Sequence, residues 1–222
     1  MMKLLQRFYD LLYPPKCVLC RKLLEQDETD LCHSCRCDTP EFPFTKHKLP
    51  YLAHWTALWY YEGKVRESIL RYKFYGERSY SETYGRMLAM KLLAEDCAFD
   101  VLTWVPISRL RKWRRGFDQV ALIAEVISRE LEVPLVPTLQ KLRNNRPQSR
   151  MGAASKRKAN VLGVYRCSDP DAVKGKRVLL LDDIITTGAT AGECARVLLT
   201  AGAEAVTCAT VAAAPHHEKI SR

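Results

Sequence analysis

The segment from Arg177 to Thr190, RVLLLDDIITTGAT, constrains the fold more than any other stretch of the 222-residue sequence. It begins with a continuous apolar run, Val178 to Leu181, which is typical of a parallel strand covered on both faces. Two adjacent acids, Asp182 and Asp183, follow where we expect the strand to end. A loop comes next, and the pattern turns helical from Ala191. This order predicts an α/β fold with a ligand site at the carboxyl end of the strand.

The loop after the two acids favours phosphate binding. Its residues are Thr186, Thr187, Gly188, Ala189 and Thr190. They bring hydroxyls and backbone N–H groups to the start of a helix, where an anion is stabilised. Because the loop also follows two carboxylates, it suits a sugar phosphate with hydroxyls to be held. The alternative is an ordinary strand–turn–helix in which Thr187 or Thr190 is only the N-cap. No Lys follows the glycine, so this is not a Walker loop, and it lacks the three-glycine dinucleotide fingerprint.

Alternating strand and helix patterns extend over most of the chain. Strands are expected at 55–61, 101–107, 178–181 and 205–213, with a short one at 135–137, and helices at 62–75, 82–93, 117–131 and 191–200. The second helix is expected to turn Leu88, Leu92 and Leu93 inward. The alternation predicts a doubly wound parallel sheet in residues 51–222, preceded by a small module and linker in residues 1–50.

Four cysteines in the small module have the spacing of a metal site. They form two Cys-x-x-Cys knuckles, Cys17 with Cys20 and Cys32 with Cys35. Four thiolates suit tetrahedral zinc, and a segment of this size needs the metal to fold. We therefore expect a structural zinc ribbon or treble clef. A redox Cys-x-x-Cys is the alternative, although it needs only one pair. His33 and Cys37 are spare donors, and the sequence leaves open whether either replaces a ligand.

Composition limits the class of protein. The hydrophobic content of 47% is enough for a sizeable core, and the net charge of +10 favours polyanionic partners such as nucleic acid or phosphorylated ligands. No apolar run approaches the ~20 residues that span a bilayer. The leucines near the N-terminus are interrupted by charges and form no secretory signal, so we expect a cytoplasmic protein. In that compartment clustered cysteines indicate metal rather than disulfides.

Two basic segments are candidates for anion binding. The first, residues 108–119, follows a predicted strand, and its Arg109 and Arg115 are placed to hold a diphosphate. The alternative is a solvated basic loop. The second, residues 141–160, is basic and has no clear period, which is typical of a lid or binding loop, unless it serves only solubility. Trp113 together with these arginines could stack on the bases of single-stranded DNA.

The strand–acid–loop segment resembles the phosphoribosyl-pyrophosphate motif of type I phosphoribosyltransferases. Further motifs occur in the order seen in the ComF family: the two knuckles, YEGKVR ending at Arg66, KFYG from Lys73, VPIS from Val105, and RGFDQ from Arg115. The chain is therefore identified as a member of that family over residues 9–212. The resemblance implies a type I phosphoribosyltransferase-like sheet behind a zinc module. The family usually has Asn where Asp118 stands, which puts an anion-binding role for this side chain in doubt.

The resemblance also implies ligands and partners. Asp182 and Asp183 would act on the ribose of phosphoribosyl pyrophosphate as the catalytic pair, the loop at 186–190 would bind its 5′-phosphate, and Mg²⁺ would accompany it. It implies a role in natural transformation, with single-stranded DNA and competence-machinery proteins as partners. Three hypotheses follow: a phosphoribosyltransferase with an unidentified acceptor, a non-catalytic DNA-binding accessory protein regulated through the same site, and a scaffold.

Overall fold

A four-stranded parallel sheet forms the centre of the computed structural model, which describes residues 14–44, 48–142 and 162–215. Its order is β1-β6-β5-β2, and every neighbouring pair is parallel. The strands are β1 His54–Tyr60, β2 Val101–Trp104, β5 Arg177–Ile185 and β6 Ala205–Ala213. A separate antiparallel pair consists of β3 Leu139–Lys141 and β4 Tyr165–Cys167. Because the four central strands are parallel, their carboxyl ends share one edge of the sheet.

Six helices are present in the described ranges. They are α1 His33–Asp38, α2 Gly63–Phe74, α3 Tyr80–Ala94, α4 Arg109–Arg115, α5 Gln119–Leu131 and α6 Ala189–Thr200. Helix α4 begins four residues after β2, the strand beside β5, so it starts at the same edge of the sheet as the end of β5. The Thr-rich loop and the first basic segment therefore follow the carboxyl ends of neighbouring strands, as expected of a doubly wound sheet.

Successive residues of β5 contribute to two different cores, one on each face of the sheet. Leu179 and Leu181 pack in a core with α2, α3 and α5, which we call the first core. Val178 and Leu180 pack in a second core with α6. Side chains alternate across a strand, so a central strand covered on both faces must be apolar at every position. This explains the uninterrupted apolar run in the sequence.

The zinc module is part of the first core. Cys17, Val18, Leu19 and Leu31 are buried there together with side chains from α2, α3 and α5. The module and the sheet domain therefore share apolar packing rather than being joined only by a linker. Helices α3 and α5 approach closely beside this core at Gly85, where a Cβ would lie 2.4 Å from the Cβ of Val126.

The structure confirms most of the predicted elements and corrects several. The strand that ends at Ala213 has the predicted bounds, and the predicted helices are present with ends shifted by a few residues. Leu93 is 68% exposed, so its inward placement was wrong, whereas Leu88 and Leu92 are buried. The predicted strand at 135–137 is reduced to one bridge between Leu135 and Leu102. No element was predicted where the structure has the short helix α4 or the strands β3 and β4.

Within the described ranges, no helix has the length and apolarity that crossing a bilayer requires.

Candidate functional site

The two adjacent acids lie inside β5 rather than behind its end. The strand continues to Ile185, and Asp182 is paired in register with Thr210 of β6. The expectation that the strand ends at the acids was therefore wrong. Because side chains alternate along a strand, the two carboxylates are directed to opposite faces of the sheet. Asp183 follows the face of Leu181 and the first core, and Asp182 follows the face of Leu180 and the second.

Asp183 is held by a lysine from a distant part of the chain. The ammonium Nζ of Lys73, at the end of α2, lies 2.6 Å from Oδ2 of Asp183. Both side chains are largely buried, with 14% and 19% exposure, so the ion pair is better shielded from solvent than a surface pair. Lys73 was recognised only as part of the KFYG motif, and its pairing with Asp183 was not predicted. The sequence around either residue contains no pattern that predicts a contact between residues so far apart.

Asp182 is in an unfavourable environment for a charge. Burial, and next the charge of Asp183, raise the pKa of Asp182 to about 8, and hydrogen bonding from the Asp183 backbone and the positive charges of Lys73 and Lys141 only partly offset this. The Asp183 N–H donates to Oδ1 of Asp182 at 2.8 Å. The charge of Asp182 in turn adds to burial in raising the pKa of the Cys208 thiol. A carboxylate with a raised pKa is common at functional sites, because the cost of burying it is recovered when a cation binds.

The loop after β5 ends at the N-terminus of helix α6, whose N-cap residue has no side chain that could accept a hydrogen bond. Gly188 is the N-cap of α6, has a left-handed φ of 71°, and provides no side-chain hydrogen bond to the helix. The hydroxyl of Thr187 accepts from the Ala189 N–H at 3.4 Å, a long contact. The interpretation of Thr187 or Thr190 as the N-cap was therefore wrong. A helix start of this kind presents backbone N–H groups to an anion.

The chain segment before β1 packs directly on this loop. A Cβ at Gly188 would lie 2.7 Å from Cδ2 of the buried Leu49, and a Cβ at Gly192 would lie 3.2 Å from the carbonyl oxygen of Pro50. Only glycine allows both the left-handed φ and the close approach of Leu49 at position 188. The loop is thus shaped by the segment that leads from the zinc module into the sheet.

The first basic segment reaches the same edge through α4. Arg115, its last residue, donates through Nη1 to Oε1 of Gln119 at 2.8 Å, and its guanidinium carbon lies 4.9 Å from the ring centre of Phe74. Phe74 directly follows Lys73, the partner of Asp183, in the sequence. The side chain of Arg109 lies outside the described part of the structure. Residues 143–160 of the second basic segment lie outside it as well.

Asp118 has a structural function that explains the acid at this position. It is the N-cap of α5, and its Oδ1 accepts from Val120 N–H at 3.2 Å and Ala121 N–H at 3.3 Å. Burial raises the pKa of this carboxyl, and the hydrogen bonds from the backbone oppose the shift. The side chain is thus committed to capping a helix, a function that Asn performs equally well.

Four cysteines meet as the knuckle spacing predicted. The Sγ atoms of Cys17, Cys20, Cys32 and Cys35 all lie within 4.8 Å of one another. Burial opposes ionisation of Cys17, but backbone hydrogen bonds from its neighbours outweigh it and lower the pKa of this thiol to about 7. Four sulfur donors fit tetrahedral zinc, filling every coordination position and leaving none for a catalytic water.

The two spare donors do not join this cluster. His33 Nε2 lies 3.7 Å from the Sγ atom of Cys37, and both side chains are on the exposed side of α1. They therefore contact each other one helical turn apart. The cluster holds the four knuckle cysteines and neither of the alternatives.

Two known protein families match separate parts of the chain. The phosphoribosyl transferase domain matches residues 121–222, and the double zinc ribbon domain matches residues 8–46. The first range contains the acids, the loop and strands β5 and β6, and the second contains all four knuckle cysteines. The fold is a type I phosphoribosyltransferase-like parallel sheet with a zinc-ribbon module at its N-terminal side.

The curated relatives are proteins of competence and DNA utilization. Competence protein F of Haemophilus influenzae is 25% identical over 86% of this chain and 93% of its own length. Competence protein ComFC of Bacillus subtilis is 29% identical over 66% of this chain and 58% of its own. DNA utilization protein YhgH of Escherichia coli is 34% identical over 48% of this chain and 46% of its own. The chain belongs to the ComF family. It is a competence-related protein with a phosphoribosyltransferase-like domain, and its match spans only about half of ComFC and of YhgH.

Solved structures with a similar sheet include phosphoribosyltransferases. Glutamine phosphoribosylpyrophosphate amidotransferase of B. subtilis, complexed with ADP and GMP, is 23% identical, with a TM-score of 0.44 over 63% of this chain and 30% of that one. Purine phosphoribosyltransferase of Pyrococcus horikoshii is 20% identical, with a TM-score of 0.37 over 60% of this chain and 73% of that one.

Proposed function

We propose that this ComF-family protein binds phosphoribosyl pyrophosphate with Mg²⁺ at the carboxyl edge of the sheet and serves DNA uptake. The observation that carries the proposal is the N-terminus of α6, whose N-cap Gly188 has no side-chain acceptor and which follows the Asp182–Asp183 pair on the same strand and loop. Backbone N–H groups there suit a 5′-phosphate, and carboxylates suit ribose hydroxyls and a hard cation. The relatives named for competence and DNA utilization support the biological setting.

The side chains of the site have separate tasks in this proposal. Asp183, fixed by Lys73, accepts hydrogen bonds from ribose hydroxyls, and the raised pKa of Asp182 makes this carboxyl responsive to a bound cation. Arg115 neutralises charge on the diphosphate at the neighbouring strand end. Mg²⁺, when bound, supplies further charge neutralisation for the diphosphate oxygens. If phosphoribosyl is transferred, the carboxylates also favour the positive charge that develops on the ribose as pyrophosphate leaves.

Calorimetry tests binding at this site. The wild-type chain should bind phosphoribosyl pyrophosphate in the presence of Mg²⁺, and Asp183→Asn should weaken it at least tenfold, because a charged hydrogen-bond acceptor is lost. Asp171→Asn is the matched control, since this exposed acid lies in the turn before β5 and outside the site. Equal affinity of both variants and the wild type would reject the site.

Transfer is tested separately by release of pyrophosphate. The wild-type chain is incubated with phosphoribosyl pyrophosphate, Mg²⁺ and a panel of nitrogen nucleophiles, and each reaction is compared with the Asp183→Asn variant. A signal that depends on one nucleophile and on Asp183 identifies an acceptor and makes the protein a phosphoribosyltransferase. Binding without release across the panel favours the non-catalytic alternative.

That alternative, a protein that binds single-stranded DNA, is favoured by an aromatic and basic surface beside the site. Phe74, Tyr75 and Arg78 contribute to it from the end of α2 and the residues that follow, and Lys112, Trp113 and Arg115 contribute from α4; the stacking of Arg115 on Phe74 joins the two groups. Trp113 is 81% exposed and Tyr75 is 77% exposed, and two guanidinium groups of the surface stack on phenylalanine rings. Exposed rings beside cations are the arrangement that stacks unpaired bases and follows a phosphate backbone.

Fluorescence anisotropy with a labelled oligothymidylate tests this surface. Trp113→Ala should weaken binding about tenfold, because one base loses its stacking partner. The control is Phe44→Ala, which removes another exposed ring that stacks on His54 away from this surface. Affinity should also fall steeply with salt. A salt-independent affinity, or equal effects of the two variants, would exclude the surface as a DNA path.

A further inference from the structure

Helix α2 joins the zinc module to the proposed ligand site. Near the middle of the helix, the hydroxyl of Ser68 donates to the backbone carbonyl of Val18 at 2.5 Å. One turn later, Nη2 of Arg71 donates to the carbonyl of Leu19, also at 2.5 Å. Both carbonyls belong to the first cysteine knuckle, between Cys17 and Cys20. The helix thus contacts the backbone of the knuckle at two successive peptide units.

The same helix ends on the acid pair. Lys73, two residues after Arg71, contacts Asp183, and Tyr72 between them donates its hydroxyl to the carbonyl of Gln119 at 2.7 Å. Two residues correspond to about 3 Å along a helix and to nearly opposite directions around it. Three consecutive side chains therefore contact the zinc knuckle, helix α5 and the functional acid, and a shift of α2 at the knuckle is passed on to Lys73.

The second knuckle is fixed to α3, which completes a rigid frame. Asp30, which precedes that knuckle, accepts from the hydroxyl of Thr83 at 2.8 Å and pairs with Arg86. Helices α2 and α3 are linked to each other by a 2.6 Å hydrogen bond between Ser68 and Tyr84. Zinc, by holding the two knuckles together, would therefore hold α2 and α3 in one arrangement.

Arg71 makes this frame sensitive to the state of the knuckle. Its side chain is only 17% exposed, and its Nε has no hydrogen-bond partner within the described ranges. Its guanidinium depends on the carbonyls of Val18 and Leu19, with Glu67 at a longer 3.9 Å. A largely buried cation that loses its hydrogen-bond acceptors can stay in its position only at a high cost in free energy. Disorder of the knuckle would consequently displace α2 and, with it, the lysine on Asp183.

We propose that Arg71 is a positioning residue of the phosphoribosyl site, which couples the zinc-bound first knuckle to the Lys73–Asp183 pair. Zinc occupancy of the module then controls affinity for a phosphoribosyl diphosphate. The affinity effect rests on the proposed function, whereas the mechanical coupling of the knuckle to β5 does not.

The test uses the full-length, zinc-loaded protein. Arg71→Met keeps the aliphatic stem and removes the donors, so it should retain one zinc ion per chain and raise the Kd for phosphoribosyl pyrophosphate with Mg²⁺ about tenfold, since a displaced binding group loses much of its effect. Arg71→Lys, which keeps a positively charged donor, should recover part of the affinity.

A matched control separates positioning from stability. Val173→Ala opens a cavity in the second core and should lower the melting temperature. It should leave the Kd unchanged, because Val173 is buried away from α2 and the knuckles. Zinc-loaded Arg71→Met with wild-type affinity overturns the proposal. An equal loss of affinity in Val173→Ala overturns it too, because the effect would then reflect stability alone.

Hydrogen exchange distinguishes failure of this proposal from failure of the proposed function. If the wild-type chain does not bind phosphoribosyl pyrophosphate, the ligand assignment fails, and the coupling is judged on the backbone amides of residues 177–190. Arg71→Met should accelerate exchange there by severalfold relative to both the wild type and Val173→Ala, because Asp183 loses its fixed partner. Exchange equal to that of Val173→Ala rejects the coupling whatever the ligand result.

Discussion

Asp182 is the residue at which the proposed function and stability conflict most directly. Its folded pKa of about 8 is far above the ~3.9 of an unperturbed aspartate, so folding opposes its ionisation. Between these values the unfolded chain binds fewer protons than the folded chain, and stability therefore falls as the pH rises. Burial therefore destabilises the charged form of this carboxyl in the ligand-free protein, and a cationic ligand beside it would offset that cost.

Asp182→Asn should therefore stabilise the ligand-free protein, and increasingly so at higher pH. From pH 6 to pH 9 its advantage in the free energy of unfolding should grow by roughly 3 kcal/mol, since the wild type loses stability across this window and the amide does not titrate. Urea denaturation at the two pH values measures this, with Asp171→Asn as the control. A pH-independent difference would contradict the raised pKa.

Gly188 combines two constraints that substitutions can separate. Its φ of 71° makes any side chain costly by about 1–2 kcal/mol, and Leu49 leaves no room for a Cβ. Gly188→Ala should lose more stability than Gly175→Ala, which has a similar φ of 67° and open space around it. In a Leu49→Ala background the cost of Gly188→Ala, measured in thermal unfolding against Leu49→Ala alone, should fall to that of Gly175→Ala. Equal effects of the two glycine variants would show that Leu49 does not approach the loop.

At the scale of single elements, helix α5 shows how a departure from the family pattern is accommodated. The acid at position 118 caps the helix through two backbone N–H groups, and burial opposes its charge. We expect Asp118→Asn to be at least as stable as the wild type at neutral pH, because it keeps the acceptor without the buried charge. Asp118→Ala should lose about 1 kcal/mol in chemical denaturation. A loss in the Asn variant as large as in the Ala variant would contradict the capping function.

Elements with a continuous local pattern could be predicted from the sequence, and elements formed by tertiary contacts could not. Strands β5 and β6 were predicted because a strand buried on both faces is apolar throughout. Helix α4 was not predicted, because a helix of seven residues that is rich in arginine has no apolar period. Strands β3 and β4 have three residues each, too few for a pattern.

The candidate site likewise has features that the sequence predicts and features that it does not. The knuckle cysteines, the acids and the Thr-rich loop are local motifs and were recognised. The Lys73–Asp183 pair, the packing of Leu49 on Gly188 and the opposite directions of the two acids depend on how distant segments meet or on where a strand ends. Periodicity and spacing carry no information about such contacts.

At the scale of the whole molecule, the zinc module and the sheet domain share one apolar core. Cys17, Cys32 and Cys35 are buried in it together with residues of α2 and α3. A core of this kind couples the folding of the two parts, so metal binding contributes to the stability of the whole chain. The segment at Leu49 adds a second link, from the module to the Thr-rich loop.

A pair of cysteine variants tests the metal assignment at this scale. Cys20→Ser should lose the zinc ion and lower the melting temperature by roughly 10 °C, since several kcal/mol of metal-binding free energy are lost. Cys37→Ser should keep one zinc ion per chain and melt like the wild type. Both residues are exposed, which makes them a matched pair. Metal analysis with thermal unfolding decides, and loss of zinc from the Cys37 variant would contradict the assignment.

The central claim is that the acids and the Thr-rich loop form a site for phosphoribosyl pyrophosphate, and calorimetry with Mg²⁺ measures it most directly. The wild-type chain should bind, and the double variant Asp182→Asn, Asp183→Asn should show no heat while remaining folded with zinc bound. Absence of binding by the zinc-loaded wild type, or undiminished binding by the double variant, would contradict the account.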